Sequence, residues 1–415
     1  MASHSGAGTI VSNPRHGRLR RSSAWGNALR VLLTTVIVVA MSGVATAAYS
    51  VWGLYNGMQT IDLGDAGDLA DAVGFGADEI EGELTVLLVG TDSRAGQSLD
   101  DGETGELNDV NLLLHVSADH QRATVVSLPR DLMVPVPSCP GPNGEPEYYS
   151  AMSEQQLNST LSIGGLPCVV ATVSELTGMD IPYAAMITFD GVIRMSNALG
   201  GVDVCLTEPI VDEYTDLNLP AGVNNLVGLE ALQFLRTRHG VGDGGDTSRI
   251  SNQQVFMSAL VRQLKSSSTL SDPIKVYGLA KVGVENMTLS SNMATTGFMQ
   301  AVASIVRDID IDSINFVQYP SNAHPYAPGR LTPNLAAAQT LFDVLKSGQA
   351  FDVTAVGEGV AEVPEDPAAD PNAVQDPNAP AETEPADPNA PVKLPPAITG
   401  QRADNETCSQ GRTVL

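Results

Sequence analysis

The chain has 415 residues, a formal net charge of -26 and a hydrophobic fraction of 43%, a length that allows about two or three domains with a sizeable core. All 48 acidic residues lie at or beyond Asp62, whereas five arginines (Arg15, Arg18, Arg20, Arg21, Arg30) precede it. So acidic a body excludes nucleic acid as a partner, since coating its backbone needs a basic face. The apolar content excludes disorder throughout, and four cysteines without a Cys-x-x-Cys or His-x-x-x-His pair exclude a disulfide-dense miniprotein and a zinc module.

Residues 1–30 read as a basic cytoplasmic tail. Residues 31–54 carry no charge and exceed the roughly 20 residues that a bilayer span requires. Arginines before the span and acids after it place the N-terminus in the cytoplasm and the body outside the cell membrane. A cleaved signal peptide ending near Ala45-Thr46-Ala47 is the competing reading. Both export the body. Residues 55–82 follow as a juxtamembrane linker.

The globular domain is expected over 83–350. Strands are expected at 84–89, 111–116 and 123–128, then helices at 150–163 and 167–176. A strand at 183–189 precedes a helix over 191–199, capped by Asp190 and stopped by Gly200-Gly201. Beyond a strand at 202–206, helices are expected at 229–238, 248–266, 272–282 and 291–307. A strand at 314–319 and a helix at 333–346 close the domain. This alternation predicts a single α/β domain with a central sheet flanked by helices. From Gly357 to Pro391 there are nine acidic residues and no basic ones, with Asp-Pro-Asn-Ala recurring. The stretch 357–397 therefore reads as an acidic, Pro/Ala-rich disordered linker, and 398–415 as a short C-terminal segment. In an exported domain the even cysteine count predicts Cys139–Cys168 and Cys205–Cys408 bridges.

Two clusters could carry chemistry. Arg236, Arg238 and Arg249 concentrate positive charge in an acidic body, with Asp246 between them. Two positions apart on a continuous helix, Arg236 and Arg238 would point about 200° apart. They converge on one ligand only if the chain leaves the helix near them, which His239-Gly240 permits. Guanidinium forks match phosphate oxygens. Surface ion pairing is the other reading, and both stay open. Asp92 follows a strand and Asp109 precedes one, at strand ends where open α/β sheets keep ligands. With a bound phosphate they would make a magnesium site; turn-forming aspartates are the alternative. Arg130 stands at a third strand exit.

Six segments in order carry a resemblance: LLVGTDSRAG (87–96), LNDVNLLLHV (107–116), VVSLPRDLMVPVP (125–137), LNSTLSIGG (157–165), FDGVIRMSNALGGVDV (189–204) and LVGLEALQFLRTRHGVGDGGDTSRISNQQ (226–254). Together they resemble the LytR-CpsA-Psr family of cell-wall enzymes. The resemblance implies transfer of a glycopolymer from a polyprenyl-pyrophosphate carrier to a peptidoglycan acceptor, forming a phosphodiester. It implies Mg2+ (or Mn2+) on Asp92 and Asp109, and pyrophosphate cradled by Arg130, Arg236, Arg238 and Arg249. Arg94 would be a further contact, Asp246 would orient Arg249 or its neighbours, Gln253 would lie beside them, and a channel between sheet and helices would take the lipid. Leu107 and Asn252 depart from the family, which often has Arg at both places. A binding module or pyrophosphatase without ligase activity, and a membrane-bound transcriptional attenuator, are the alternatives.

Overall fold

The computed structural model describes residues 25, 27–38, 41–42, 53, 57–64, 80, 82–93, 105–141, 145, 147–265, 272–363 and 391–412. The chain divides into two compact units between Gly53 and Leu54. In the first, Asn27–Val38 is a short apolar helix. The rest of the expected span is described only at 41–42 and 53. Among the described residues, the helix long and apolar enough to cross a membrane is Leu157–Thr177, but half of it is buried in the second unit, which makes it a core helix.

The second unit runs in chain order through β1 (Gln59–Ile61), β2 (Leu84–Thr91), β3 (Asn108–Val116), β4 (Ala123–Leu128), β5 (Met133–Val136), β6 (Met152–Gln156), α1 (Thr160–Thr177), β7 (Tyr183–Ile187) and α2 (Phe189–Leu199). It continues through β8 (Val202–Leu206), β9 (Ile210–Asp212), β10 (Leu217–Leu219), β11 (Gly222–Leu226), α3 (Leu229–Arg236), α4 (Asp246–Lys265), α5 (Pro273–Asn286) and β12 (Met287–Ser290). The last part holds α6 (Thr296–Asp308), β13 (Ile314–Gln318), β14 (Ser321–Ala323), β15 (Leu331–Pro333), α7 (Leu335–Ser347), β16 (Phe351–Asp352), β17 (Val360–Glu362), β18 (Val392–Lys393), β19 (Gly400–Arg402) and β20 (Thr407–Ser409).

Eight strands form a central mixed sheet in the order β1-β12-β7-β2-β3-β4-β13-β19. All six residues of β4 are buried, as expected of an apolar strand covered on both faces. Along β2 the side chains alternate. Leu87 and Val89 join a core with Val169 and Val173 of α1 and Leu341 and Phe342 of α7. Val86 and Leu88 face the opposite side, towards Phe298 and Ile305 of α6. A second sheet, β11-β8-β20-β17, packs through Val204 and Leu226 on Phe234 of α3 and Val255 of α4. The single mixed α/β architecture expected from the sequence is the one observed.

Several local expectations are corrected. The helix expected over 150–163 begins only at Thr160, because Met152–Gln156 pairs as a strand with Met133–Val136. The cap of α2 is Thr188, whose Oγ1 accepts from the Gly191 N–H at 3.3 Å, and Asp190 lies inside the first turn. The presumed linker 55–82 contributes β1 to the central sheet, parallel to β12. The domain does not stop at 350: β17 pairs with β20, and β19 closes the sheet edge beside β13. Part of the expected acidic linker is therefore structured, while 364–390 lie outside the described residues. A Cβ on Gly359 would lie 3.1 Å from the Gly242 Cα, so this late segment packs backbone to backbone on the loop between α3 and α4.

Both expected cysteine pairs are joined in the structure, Cys139 to Cys168 and Cys205 to Cys408. The first closes a separation of 29 residues, and such a loop contributes about 3.6 kcal/mol in the chain-entropy model. The second pins β20, from the C-terminal segment, to β8.

His115 on β3 is 3% exposed. Its Nδ1 lies 3.3 Å from Thr85 Oγ1 and its Nε2 lies 3.2 Å from Leu345 O. Burial holds its pKa below the ordinary 6.5, against the opposing pull of Glu83 and the Leu345 carbonyl. The unfolded chain takes up this proton at a higher pH than the native one does. The contribution to stability is thus full above about pH 6.5 and is lost as pH falls below it. Thermal melts from about pH 7 to about pH 5 should show this loss, with a shallower slope in His115→Gln. An unchanged slope in that variant would assign the acid sensitivity elsewhere.

Candidate functional site

The site forms where β3, β4, α3 and α4 meet. α3 stops at Arg236, and Thr237 turns to extended geometry (φ -59°, ψ 138°). The break falls between Arg236 and Arg238, two residues earlier than His239-Gly240 suggested, and it shortens the helix expected to reach Arg238. Arg238 thereby turns towards Asp246 in the first turn of α4. Asp246 Oδ1 forms an ion pair with Arg249 Nη2 at 2.6 Å and accepts from Arg238 Nη2 at 3.2 Å, and its Oδ2 accepts from the Arg130 backbone N–H at 3.2 Å. One buried carboxylate thus organises three arginines from three elements. Arg249 Nη2 also donates to the Asp109 carbonyl at 3.0 Å, and Arg130 pairs with the Asp109 carboxylate.

The electrostatics act differently on the arginines of the cluster. Burial and then the charges of Arg249 and Arg130 push the Arg238 pKa down to about 10. Burial works against the charge on Arg130 too, but Asp109, Asp131 and Asp246 outweigh it and raise its pKa. The Nε atoms of Arg130 and Arg249 are buried without a hydrogen-bond partner. Buried donors normally find one. Arg249 is 4% exposed, which sets the cluster apart from surface ion pairs.

Arg236 reaches the same place by another route. Its guanidinium lies over the Phe189 ring, 4.5 Å from the centroid, on the wall of an apolar cavity of about 420 Å³. The cavity lies between the central sheet and α2–α4. Arg249, Gln253, Phe256, Leu260 and Leu264 all line it, three or four residues apart and so on one face of α4. Arg249 to Leu264 spans about 22 Å of helix at 1.5 Å per residue. Arg236, Arg249, Gln253 and Asp109 gather at the start of α4, and the lining beyond them is mostly apolar. Gln253 donates Nε2 to Leu235 O at 2.8 Å, so its amide nitrogen is spent on the end of α3.

Of the two aspartates proposed for a metal, Asp92 directly follows β2, and Asp109, expected just before a strand, is the second residue of the neighbouring β3. Asp92 Oδ1 accepts the Leu107 N–H at 2.7 Å, and Asp109 is engaged by Arg130. Magnesium takes one or two carboxylates and completes its shell with water and phosphate oxygens. The described residues hold no group of three His, Cys, Asp or Glu side chains suited to a metal. A cation held by these two carboxylates would have to complete its shell with water and phosphate oxygens. Arg94 lies outside the described residues.

Two residues of the cluster went unread in the sequence. Asp131, 6% exposed, receives Arg330 Nη1 at 2.6 Å and the Gln156 amide, and lies 3.8 Å from both Arg130 and Arg238. Arg330 comes from the β14–β15 loop, and a separation of 199 residues leaves no local signal. At Asn252, the departure from the family pattern, Nδ2 donates to Phe234 O at 2.8 Å.

Fold and cluster together define an α/β domain with an apolar cavity that ends in arginines. The LytR_cpsA_psr family model matches residues 65–344, and the chain belongs to that family. It is similar to the cell wall biosynthesis protein LcpA of Corynebacterium glutamicum, at 29% identity over 293 residues, 65% of this chain and 55% of that one. It is also similar to the polyisoprenyl-teichoic acid–peptidoglycan teichoic acid transferase TagT of Bacillus subtilis, at 27% identity over 195 residues, 45% of this chain and 54% of that one. The chain spans about half the length of the curated relatives it matches. The crystal structure of B. subtilis TagV shares the fold, with a TM-score of 0.51 at 20% identity over 64% of this chain and 98% of that one.

Proposed function

We propose that this protein is a phosphotransferase that moves a glycopolymer from a polyprenyl-pyrophosphate carrier to peptidoglycan. The observation that carries this reading is the apolar cavity running along α4 from Arg249 and Arg236 to Leu264. It offers a lipid chain a dry slot and a diphosphate a cluster of guanidinium groups in one continuous space. The names of LcpA and TagT, which refer to cell-wall biosynthesis and to transfer between a polyisoprenyl carrier and peptidoglycan, support the same reading. The body would work outside the cell membrane, tethered by residues 31–54 with the N-terminus cytoplasmic.

Phosphoryl transfer asks for in-line positioning and neutralised oxygen charge, with little covalent work by the protein. The acceptor hydroxyl oxygen bonds to the phosphorus that bears the glycan. The bridging oxygen leaves with the polyprenyl phosphate, and the hydroxyl proton is released. Arg130, Arg238 and Arg249 hold the diphosphate oxygens, with Arg236 at the lipid side. Asp246 keeps Arg238 and Arg249 aimed, and Asp131 holds Arg330 at the rim. Mg2+ (or Mn2+), held by Asp92 and Asp109 with the phosphate oxygens, would supply further charge neutralisation.

The test uses the full chain in detergent or vesicles, a polyprenyl-pyrophosphate-linked glycan and a peptidoglycan acceptor, across a magnesium titration. Glycan should appear on peptidoglycan together with polyprenyl phosphate. Asp109→Ala should lower the rate and flatten the magnesium response, because it removes a hard oxygen ligand. Free phosphate without labelled peptidoglycan would make the protein a pyrophosphatase. Donor binding without either product would make it a binding module.

A further inference from the structure

The end of α3 is held from two sides. A helix end leaves its last carbonyls without intrahelical partners, and here α4 supplies them. The amides of Asn252 and Gln253 donate to Phe234 O and Leu235 O, each at 2.8 Å. On the other side stands Asp212, the last residue of β9. Its Oδ2 accepts from the Thr237 hydroxyl at 2.5 Å and from the Arg238 N–H at 3.2 Å, and its Oδ1 accepts from the Tyr214 N–H at 2.9 Å.

Asp212 is 2% exposed and Thr237 is fully buried. A carboxylate so buried is costly unless its lone pairs are satisfied. Burial alone would push its pKa up, but the hydrogen bonds, with Thr237 first among them, hold it below the ordinary value. Among the described residues no lysine or arginine side chain within 4 Å pairs with it. All its bonds go to backbone and hydroxyl at the bend and in its own hairpin. Gly240 fits the same bend closely, since a Cβ there would lie 2.8 Å from Ile210 Cγ2 and 2.9 Å from Thr237 Oγ1.

We propose that Asp212 is the positioning residue of Arg238: through Thr237 and the Arg238 amide it fixes the bend that aims this guanidinium at Asp246 and the diphosphate. This rests on the transfer reading above. Asp212 touches no substrate, and its whole effect on the rate runs through Arg238.

The experiment places Asp212→Asn, Thr237→Val and Thr237→Ser in the full chain, each with Arg238 intact and in an Arg238→Ala background. Transfer kinetics are read beside hydrogen exchange of the peptide spanning residues 234–241. A small misplacement of a catalytic group costs up to about 100-fold. Asp212→Asn and Thr237→Val should therefore each lower kcat by about tenfold or more, with little change in the donor KM. Thr237→Ser keeps the hydroxyl and should stay near wild type. In the Arg238→Ala background, Asp212→Asn should cost nothing further, whereas a residue that merely supports the fold would lower the rate again. A further loss there, or a wild-type kcat in Asp212→Asn or in folded Thr237→Val, overturns the proposal. Exchange separates the two readings: faster exchange at 234–241 in Asp212→Asn upholds the clamp even if the wild-type protein transfers nothing, in which case the transfer reading falls. Unchanged exchange overturns the clamp whatever the kinetics.

Discussion

Arg249→Ala is expected to lower transfer about 100-fold to 1000-fold, the usual cost of removing one preorganised donor from a developing charge. Arg249 is the most buried member of the cluster, and it links Asp246 at 2.6 Å to the Asp109 carbonyl at 3.0 Å while leaving Nε unpartnered. Its removal takes a guanidinium from a partly dry site without stripping Asp246, which keeps Arg238 and the Arg130 N–H. The fold should therefore survive. Arg249→Lys should also transfer poorly, since a point charge on a flexible stem replaces a fork that donates in two directions. Thermal melts of the purified variants separate the two effects. A folded Arg249→Ala protein with wild-type transfer would remove the arginine cluster from the reaction.

What the sequence made legible was local. The buried run of β4 and the α2 stop at Gly200 could be read because burial on two faces and a left-handed glycine leave signatures within a few residues. The opposed directions of Arg236 and Arg238 on a helix required a break, and the break exists at Thr237. Its place was misread because what fixes it, Asp212, is 25 residues away in sequence and carries no local pattern. Distance hid the rest as well. Met152–Gln156 is polar and short, and it is a strand only because Met133–Val136 lies beside it. The C-terminal strands have two or three residues each and no period to detect. Yet the Arg412 N–H donates to Gly240 O at 2.9 Å and Val241 bridges Gly411, so the chain end braces the loop between Arg238 and Asp246.

The cavity makes the second large prediction, and it is graded along α4. Met257 and Leu264 both line the cavity, about 12 Å and about 22 Å along the helix from Arg249 at 1.5 Å per residue. A tryptophan at Met257 would close the slot near its middle, and one at Leu264 would trim only its far end. Each buried CH2 of a lipid contributes about 0.8 kcal/mol. Displacing even one five-carbon unit should then weaken donor binding on the order of 1000-fold. Met257→Trp should therefore bind and use a long-chain donor far less well than wild type, and Leu264→Trp should lie between them. A donor with a chain short enough to end before Met257 should be used equally by all three proteins, because the arginines that hold its diphosphate are unchanged. Competition between short-chain and long-chain donors reads this directly. Equal preference for the long chain in wild type and in folded Met257→Trp would mean that the lipid lies elsewhere, and that the cavity is a packing defect of the core and not a binding slot.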